Sequence, residues 1–183
     1  MTSPAVEVPS EVASITQEHL RSKGRVGEEG VVLWTGTLDP LTVRGAIVPE
    51  QETGFGRFRV TLRERQRISR ELVGTGQMIV VQVHSHPEGA FHSWIDDQEA
   101  IPRRVGAYSL VIPDFGSRPH LLEEAALFQL QESGSWNETS IELLTISALA
   151  RPEDSQPAAT TTLQRRTLRW LIGTLKSFGR SRT

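Results

Sequence analysis

The spacing of apolar residues divides residues 10–146 into short helices and strands. Apolar residues that recur three or four positions apart predict an amphipathic helix, whereas alternation or a short apolar run predicts a strand. Stretches with glycine, proline and polar residues separate these segments. The predicted elements are a helix over 10–22, strands over 30–38, 42–48 and 57–62, a helix over 63–73, a strand over 77–83, a helix over 93–101, and strands over 108–112, 125–131 and 139–146.

Two serines mark where helices are predicted to begin. Ser10 precedes the first apolar positions and is the predicted N-cap of the first helix, with Pro9 outside it and the region of Gly24 as its end. Ser93 is the predicted N-cap of the helix over 93–101, whose first turn is acidic. The mixture of strands and helices predicts an α/β fold.

Composition excludes several kinds of chemistry. The chain of 183 residues has no cysteine, which rules out disulfides and a cysteine nucleophile and leaves His, Asp and Glu as metal ligands. A net charge of −2 gives no bulk electrostatic reason to bind nucleic acid or membranes. The N-terminus lacks a signal-peptide pattern, and no apolar run approaches the roughly 20 residues that span a bilayer, so we expect a cytoplasmic protein.

The composition changes near residue 151. Residues 151–162 are polar and contain proline, which predicts a flexible linker after a domain over 1–150. Residues 163–183 carry six basic residues, no acidic residue and an apolar stripe, which predicts a basic amphipathic C-terminal helix. This helix either docks on the protein's own core or a partner, binds an anionic surface, or forms a loosely ordered tail.

Two histidines follow the Val- and Ile-rich segment 77–83, the strongest strand signal in the chain. His84 and His86 are two positions apart, so their side chains point to the same side at a strand end. Imidazole is a good zinc ligand, and a catalytic zinc takes three protein ligands and a water. A carboxylate at Asp96 or Asp97 can return to the strand end from the predicted helix. By itself, however, His-x-His is more often a polar strand end than a metal site.

This segment resembles a known motif. His-Ser-His-Pro at 84–87, followed by Ser-Trp-Ile-Asp at 93–96, is similar to the JAMM motif, His-x-His-Pro…Ser-x-x-Asp, of the MPN-domain (JAB) zinc metalloproteases. The resemblance covers residues 10–145, because the order of predicted helices and strands also matches. It implies an MPN-like fold, with a central mixed and mostly antiparallel sheet flanked by helices, for the domain over 1–150.

The resemblance also implies a catalytic glutamate. The family has one just ahead of a glycine-containing apolar strand that precedes the histidines, and Glu29 occupies that place. Gly36 follows seven residues later, which is the usual spacing in the family and favours Glu29 over Glu28. Without the resemblance, a carboxylate in a loop before a strand is more often a solvated charge.

The loop after His86 departs from the family pattern. It has six residues before Ser93, where the family usually has seven. Keeping Ser-x-x-Asp makes Asp96 the third ligand, whereas keeping the eleven-residue step from His86 makes it Asp97. We favour Asp96, because residues three apart on a helix share a face and a loop tolerates the loss of one residue. His92, inside this loop, is interpreted either as a plain loop residue or as a contact to substrate or to a carboxylate.

The resemblance implies a mechanism and a class of substrate. A zinc ion (Zn2+) on His84, His86 and Asp96 would activate a water, Glu29 would move its proton to the departing amine, and Ser93 would donate to the developing oxyanion. Because members of the family release ubiquitin or ubiquitin-like proteins, we expect a deubiquitinase-like metallopeptidase or isopeptidase that acts on a ubiquitin-like protein, alongside matching E1/E2-type conjugating enzymes. The alternatives are release of a sulfur-carrier or small-peptide adduct, and a non-catalytic MPN-type scaffold for protein partners.

Overall fold

A computed structural model describes residues 5–148, and the predicted linker and basic C-terminal helix lie outside these residues. No helix within 5–148 is long and apolar enough to cross a membrane. Two short 3₁₀ turns lie at Asp114–Gly116 and Ile141–Leu143. The other elements are β1 (Val6–Val8), α1 (Ser10–Gly24), β2 (Val31–Leu38), β3 (Leu41–Ile47), β4 (Glu52–Gly54), β5 (Arg57–Arg59), α2 (Leu62–Leu72), β6 (Met78–Ser85), α3 (Trp94–Glu99), β7 (Tyr108–Ile112), β8 (Ala126–Leu130), β9 (Trp136–Thr139) and β10 (Leu144–Ile146).

Six strands form one mixed sheet in the order β3-β2-β6-β7-β8-β9. β6 and β7 are parallel, and every other neighbouring pair in this sheet is antiparallel. β1 and β10 form a separate parallel pair, and β4 and β5 form an antiparallel hairpin. The predicted α/β fold class, with a mixed and mostly antiparallel sheet, is confirmed and is compatible with an MPN-like fold.

α1 packs against the sheet through one helical face. Val12, Thr16 and Leu20 are buried at four-residue intervals, and full burial of an aliphatic side chain such as that of Leu20 contributes about 1.5–3 kcal/mol. Nε1 of the fully buried Trp34 donates to Oγ1 of Thr16 at 2.8 Å, and this hydroxyl donates to the carbonyl of Val12 at 2.7 Å. The indole N–H is therefore satisfied inside the core.

A second cluster of apolar side chains joins α2 to the sheet and supports the strand that carries the histidines. Phe58 of the β4–β5 hairpin lies with its ring centroid 5.2 Å from that of His84, so this cluster reaches the histidines directly. The buried members of the cluster are Val31, Leu33, Phe58, Val60 and Ile68.

Most predicted elements are confirmed with end points within three residues, but the short strands β1 and β4 were not predicted and further details were wrong. Ser10 is the first helical residue of α1, and Pro9 occupies the N-cap position without any side-chain cap. The strand predicted over 139–146 was largely wrong, because β9 reaches it only at Thr139 and Ile141–Leu143 forms a 3₁₀ turn. Leu144–Ile146 is a strand, but it pairs with β1 outside the six-stranded sheet. β1 was not predicted, since three residues are too few to show a period.

Gly36 lies where β2 and β3 approach each other closely. A Cβ atom there would lie 1.9 Å from the carbonyl oxygen of Thr42, a backbone atom that cannot move without distorting β3. We expect Gly36→Ala to lower the free energy of unfolding by at least about 2 kcal/mol in urea titrations. Gly89→Ala is the control, because its Cβ meets nothing within 4 Å. Equal midpoints for the two variants would contradict this packing.

Candidate metal centre

The end of β6 places two histidines in the interior of the protein. β6 lies between β2 and β7, and His84 pairs with Val31 on one neighbour and Val111 on the other. His84 is fully buried, and His86, one residue past the strand, is also buried. The two ring centroids are 5.0 Å apart. The backbone N–H of His86 donates to the carbonyl of Ile112 in β7 at 2.9 Å. Pairing with β2 and β7 thus fixes the positions of the two histidines.

The first turn of α3 brings Asp96 back to these histidines. Ser93 is the N-cap, as predicted, and forms a capping box with Asp96. The backbone N–H and the hydroxyl of Ser93 donate to Oδ2 of Asp96 at 2.7 and 2.8 Å. Oδ1 of Asp96 lies 3.1 Å from Nε2 of His84, and Oδ2 lies 3.4 Å from Nε2 of His86. Asp96 is buried, whereas the side chain of Asp97 is 59% exposed.

The geometry of His84, His86 and Asp96 fits a bound metal ion. One potential ligand atom from each residue lies within 4.8 Å of the others. Two ligands of a tetrahedral zinc with bonds of 2.0–2.1 Å are about 3.3 Å apart, close to the 3.1 and 3.4 Å measured between the imidazoles and the carboxylate. Neither ring nitrogen of His84 has a hydrogen-bond partner among residues 5–148, so its contact with Asp96 is not an aligned hydrogen bond. A divalent cation would satisfy both groups.

Burial and mutual contact also give these ligands suitable protonation states. Burial lowers the pKa of His84, which favours the neutral imidazole that a metal requires. Burial by itself raises the pKa of Asp96, but the contacts with His84, His86 and Ser93 outweigh this effect and hold the pKa below its usual range. An ionised carboxylate therefore faces a neutral imidazole, which is the combination that binds a metal without first losing a proton.

Glu29 lies next to His86, two residues before the adjoining strand β2. The N–H of Ser85 donates to the carbonyl of Gly30 at 3.1 Å, and the N–H of Gly30 donates to Oγ of Ser85 at 3.1 Å. These bonds continue the β2–β6 ladder, so Glu29 comes opposite His86. Glu29 is 4% exposed, and burial raises its pKa to about 7, with His86 opposing and Asp96 adding to this shift.

The neighbouring Glu28 has a different environment. Its carboxylate lies 3.6 Å from Nζ of Lys23 and accepts a hydrogen bond from Oγ1 of Thr53, and its side chain is 35% exposed. The N–H of Glu29 is bound to the carbonyl of Gly54 at 3.0 Å. The structure thus separates the two glutamates: Glu29 lies beside the histidines, and Glu28 forms a half-buried ion pair with Lys23.

Two phenylalanines that the sequence analysis did not single out enclose the histidines. Phe58 packs on His84, and the ring of Phe91 lies edge-on to His86 with centroids 4.7 Å apart and an interplanar angle of 70°. Phe58 is buried, whereas Phe91 is 56% exposed and forms the outer wall of the site. The alternation of residues 57–60 pointed to a buried Phe58, but nothing in that pattern indicated which side chain it would contact.

Two known proteins bear on the family and the fold. A protein of Sinorhizobium fredii (strain NBRC 101917 / NGR234) named "Probable metalloprotease y4jG" is 34% identical over 146 residues, which are 76% of this chain and 90% of that protein. The chain therefore belongs to the same family as this probable metalloprotease. The solution structure of protein DSY2949 from Desulfitobacterium hafniense matches with a TM-score of 0.57 over 78% of this chain and 92% of that one, and its 16% identity makes this a likeness of fold alone. No family model matches the chain.

Substitution of the two aspartates separately tests the third ligand. In protein equilibrated with zinc, we expect Asp96→Ala to lose the bound metal because it removes a buried ligand. Asp97→Ala should keep the metal content of the wild type, since its carboxylate is largely exposed. Elemental analysis and competition with a chelator measure both, and circular dichroism checks that each variant is folded. Loss of metal from Asp97→Ala alone would reverse the assignment.

The raised pKa of Glu29 predicts how the metal-free protein responds to pH. Between 4.5, the ordinary carboxyl pKa, and about 7, the folded protein binds a proton that the unfolded chain has released. Stability contributed by this proton is therefore lost as the pH rises through that interval. Glu29→Gln cannot ionise, so in chelator we expect it to exceed the wild type by about 1–3 kcal/mol at pH 8 and to match it near pH 5. Urea unfolding at both pH values measures this, and a constant difference would contradict it.

Proposed function

We propose that this protein is a zinc-dependent peptidase or isopeptidase of the JAMM/MPN (JAB) type, deubiquitinase-like, that cleaves at the C-terminus of a ubiquitin-like protein. The observation that carries the proposal is the buried group of His84, His86 and Asp96 with the buried carboxylate of Glu29 beside it. The resemblance of residues 84–96 to the JAMM motif and the relationship to a protein named as a probable metalloprotease support it.

The ligand set favours zinc. Two imidazole nitrogens and one carboxylate oxygen form a common catalytic zinc site, and three protein ligands leave a fourth position open for water or substrate. When bound, zinc lowers the pKa of a water to near 7 and polarises the carbonyl of the scissile bond. The β2–β6–β7 ladder and the capping box of α3 hold His84, His86 and Asp96 in place for this purpose.

Glu29 acts as the base and then as the acid. Its carboxylate takes a proton from the attacking water and transfers it to the nitrogen of the departing amine as the carbon–nitrogen bond breaks. Burial suits this exchange, because a carboxyl with a pKa near the working pH both accepts and releases a proton readily. A divalent cation nearby favours the ionised carboxylate and shifts Glu29 further towards the base form.

Ser93 stabilises the negative charge that develops on the carbonyl oxygen. In the structure its hydroxyl donates to Oδ2 of Asp96 at 2.8 Å, so it has to turn towards the substrate to act. Asp96 does not lose its support in that event, because the backbone N–H of Ser93 still donates to the same oxygen at 2.7 Å. The serine thus has one donor for the ligand and one for the substrate.

A polypeptide tail suits the location of the site. The ligands lie at the end of a strand, and two cavities of 440 and 520 Å³ elsewhere among residues 5–148 are lined by other residues. An extended C-terminal tail can run past Phe91 and add main-chain hydrogen bonds at an exposed strand edge, which brings its last carbonyl to Glu29 and Ser93. The matching E1/E2-type enzymes would attach the same tail to lysine in the cytoplasm.

A catalytic role explains the site better than a non-catalytic scaffold for protein partners does. Burial of Glu29 with a raised pKa disfavours its charged form, and the buried His84 has two nitrogens without hydrogen-bond partners among residues 5–148. Both features reduce the stability of the metal-free fold. A non-catalytic scaffold has no use for a buried glutamate with a raised pKa or for a buried histidine without partners. A metal-dependent hydrolase uses the glutamate as a base and the histidine as a metal ligand.

Cleavage of defined probes tests the proposal. The probes are ubiquitin joined to a reporter protein either linearly or through a lysine side chain. We expect the zinc-loaded wild type to release the reporter, a chelator to stop the reaction and added zinc to restore it. Glu29→Gln should lower kcat by at least about 100-fold because it removes the base, while its zinc content is unchanged. Glu28→Gln is the matched control and should stay within about twofold, since that half-buried side chain pairs with Lys23 and Thr53 away from the histidines.

Each part of the proposal fails on a different result. Undiminished cleavage by Glu29→Gln would contradict the role of Glu29 as the base. Cleavage that continues in the presence of a chelator would contradict the role of the metal. A zinc-loaded wild type that cuts neither probe would contradict ubiquitin-like substrates while leaving the metal site intact.

A further inference from the structure

His92 is a buried histidine that the proposed mechanism does not use. Its side chain is 6% exposed, although it lies in the loop between His86 and Ser93. Its ring stacks on Trp136, with centroids 5.2 Å apart and an interplanar angle of 28°, and lies 5.2 Å from the ring of Phe128. Phe128 and Trp136 belong to the paired strands β8 and β9. His92 thus attaches the loop to the last hairpin of the sheet.

The same imidazole also faces the metal ligands and α3. Its edge is turned to His84, with centroids 6.4 Å apart and an interplanar angle of 82°. Nδ1 lies 3.4 Å from Oδ1 of Asp97, whereas Nε2 is buried without a hydrogen-bond partner among residues 5–148. The polar contact that distinguishes this residue from a phenylalanine is therefore the one with Asp97.

α3 needs such an attachment because it is only six residues long, too short to be stable by itself. The ion pair between Arg65 and Glu99, at 2.9 Å, ties down its C-terminal end. At the other end, the capping box of Ser93 and Asp96 lies within the turn and does not connect it to the sheet. Asp96 contacts His84 and His86, and His92, one residue before the cap, adds a contact with the neighbouring strands β8 and β9.

We propose that His92 is a positioning residue for the metal centre. Its stack on Trp136 anchors the start of α3 and so sets the distance of Asp96 from His84. The inference rests on the proposed function in taking Asp96 as a metal ligand. Ligand distances in metal sites vary by only about 0.2 Å, so a small shift of α3 weakens binding.

Three variants and one control test this anchor. His92→Ala removes the ring, His92→Phe keeps the stack without the polar contact, and Trp136→Ala removes the other partner. Trp94→Ala is the control, since it removes a 68% exposed aromatic ring from the first residue of the same helix. The measurements are zinc affinity by chelator competition, the visible spectrum of the cobalt-substituted protein, and amide hydrogen exchange in α3 of the metal-free protein.

We expect His92→Ala to weaken zinc binding by about 10–100-fold, as does loss of other side chains that orient metal ligands. Its cobalt spectrum should change and its α3 amides should exchange at least about tenfold faster, while those of β6 do not. Trp136→Ala should show the same changes. In the double variant with His92→Ala and Trp136→Ala, the fold loss of zinc affinity should be smaller than the product of the two single losses. His92→Phe should stay within about threefold of the wild type, because an aromatic ring preserves the stack.

The proposal is overturned if His92→Ala matches Trp94→Ala in affinity, spectrum and exchange, or if His92→Phe is as impaired as His92→Ala. Because amide exchange is measured without metal, it tests whether His92 anchors the start of α3 even if the protein binds no zinc. Failure of the metal site and failure of this anchor therefore give different results.

Discussion

The antiparallel register that sets Val31 opposite His84 is the constraint on which the candidate site depends. Two further hydrogen bonds between Gly30 and Ser85 extend this ladder, so that Glu29 comes beside His86. A shift by one residue would turn Glu29 to the opposite face of the sheet, because side chains alternate along a strand. The relation between the proposed base and the proposed ligands is thus set by the main-chain ladder of β2 and β6 together with the bond from the N–H of Gly30 to the hydroxyl of Ser85.

The polar side chains of this arrangement are buried, and their burial lowers the stability of the fold. Glu29, His84, His86 and Asp96 are each no more than 4% exposed. Burial opposes the charged forms of Glu29, His84 and Asp96. Apolar contacts reinforce the effect, since Phe58 covers His84 and Phe91 covers the edge of His86. A dry environment of this kind strengthens the attraction between a cation and its ligands. Burial of these four side chains therefore reduces the stability of the metal-free fold and at the same time favours the binding of a divalent ion.

Local patterns predicted the sheet strands and helices well and failed where the chain changes sheet. β6 and β7 are Val- and Ile-rich segments that are buried along most of their length, so their sequences indicate strands directly. Val6–Val8 becomes a strand only because it meets Leu144–Ile146 from the other end of the described chain. Apolar spacing carries no information about such a partner, which is why 139–146 was predicted as one strand and Val6–Val8 as none.

Taken alone, the sequence determined the parts of the site that depend on neighbouring residues. Strand geometry brings His84 and His86 to one side, and the cap geometry of a helix start joins Ser93 to Asp96. Only the tertiary structure decided which glutamate lies beside the histidines, which aspartate is buried with them, and that His92 packs on Trp136. The first group follows from the fixed periods of helix and strand. The second depends on strand register and on packing between distant segments, which no local pattern encodes.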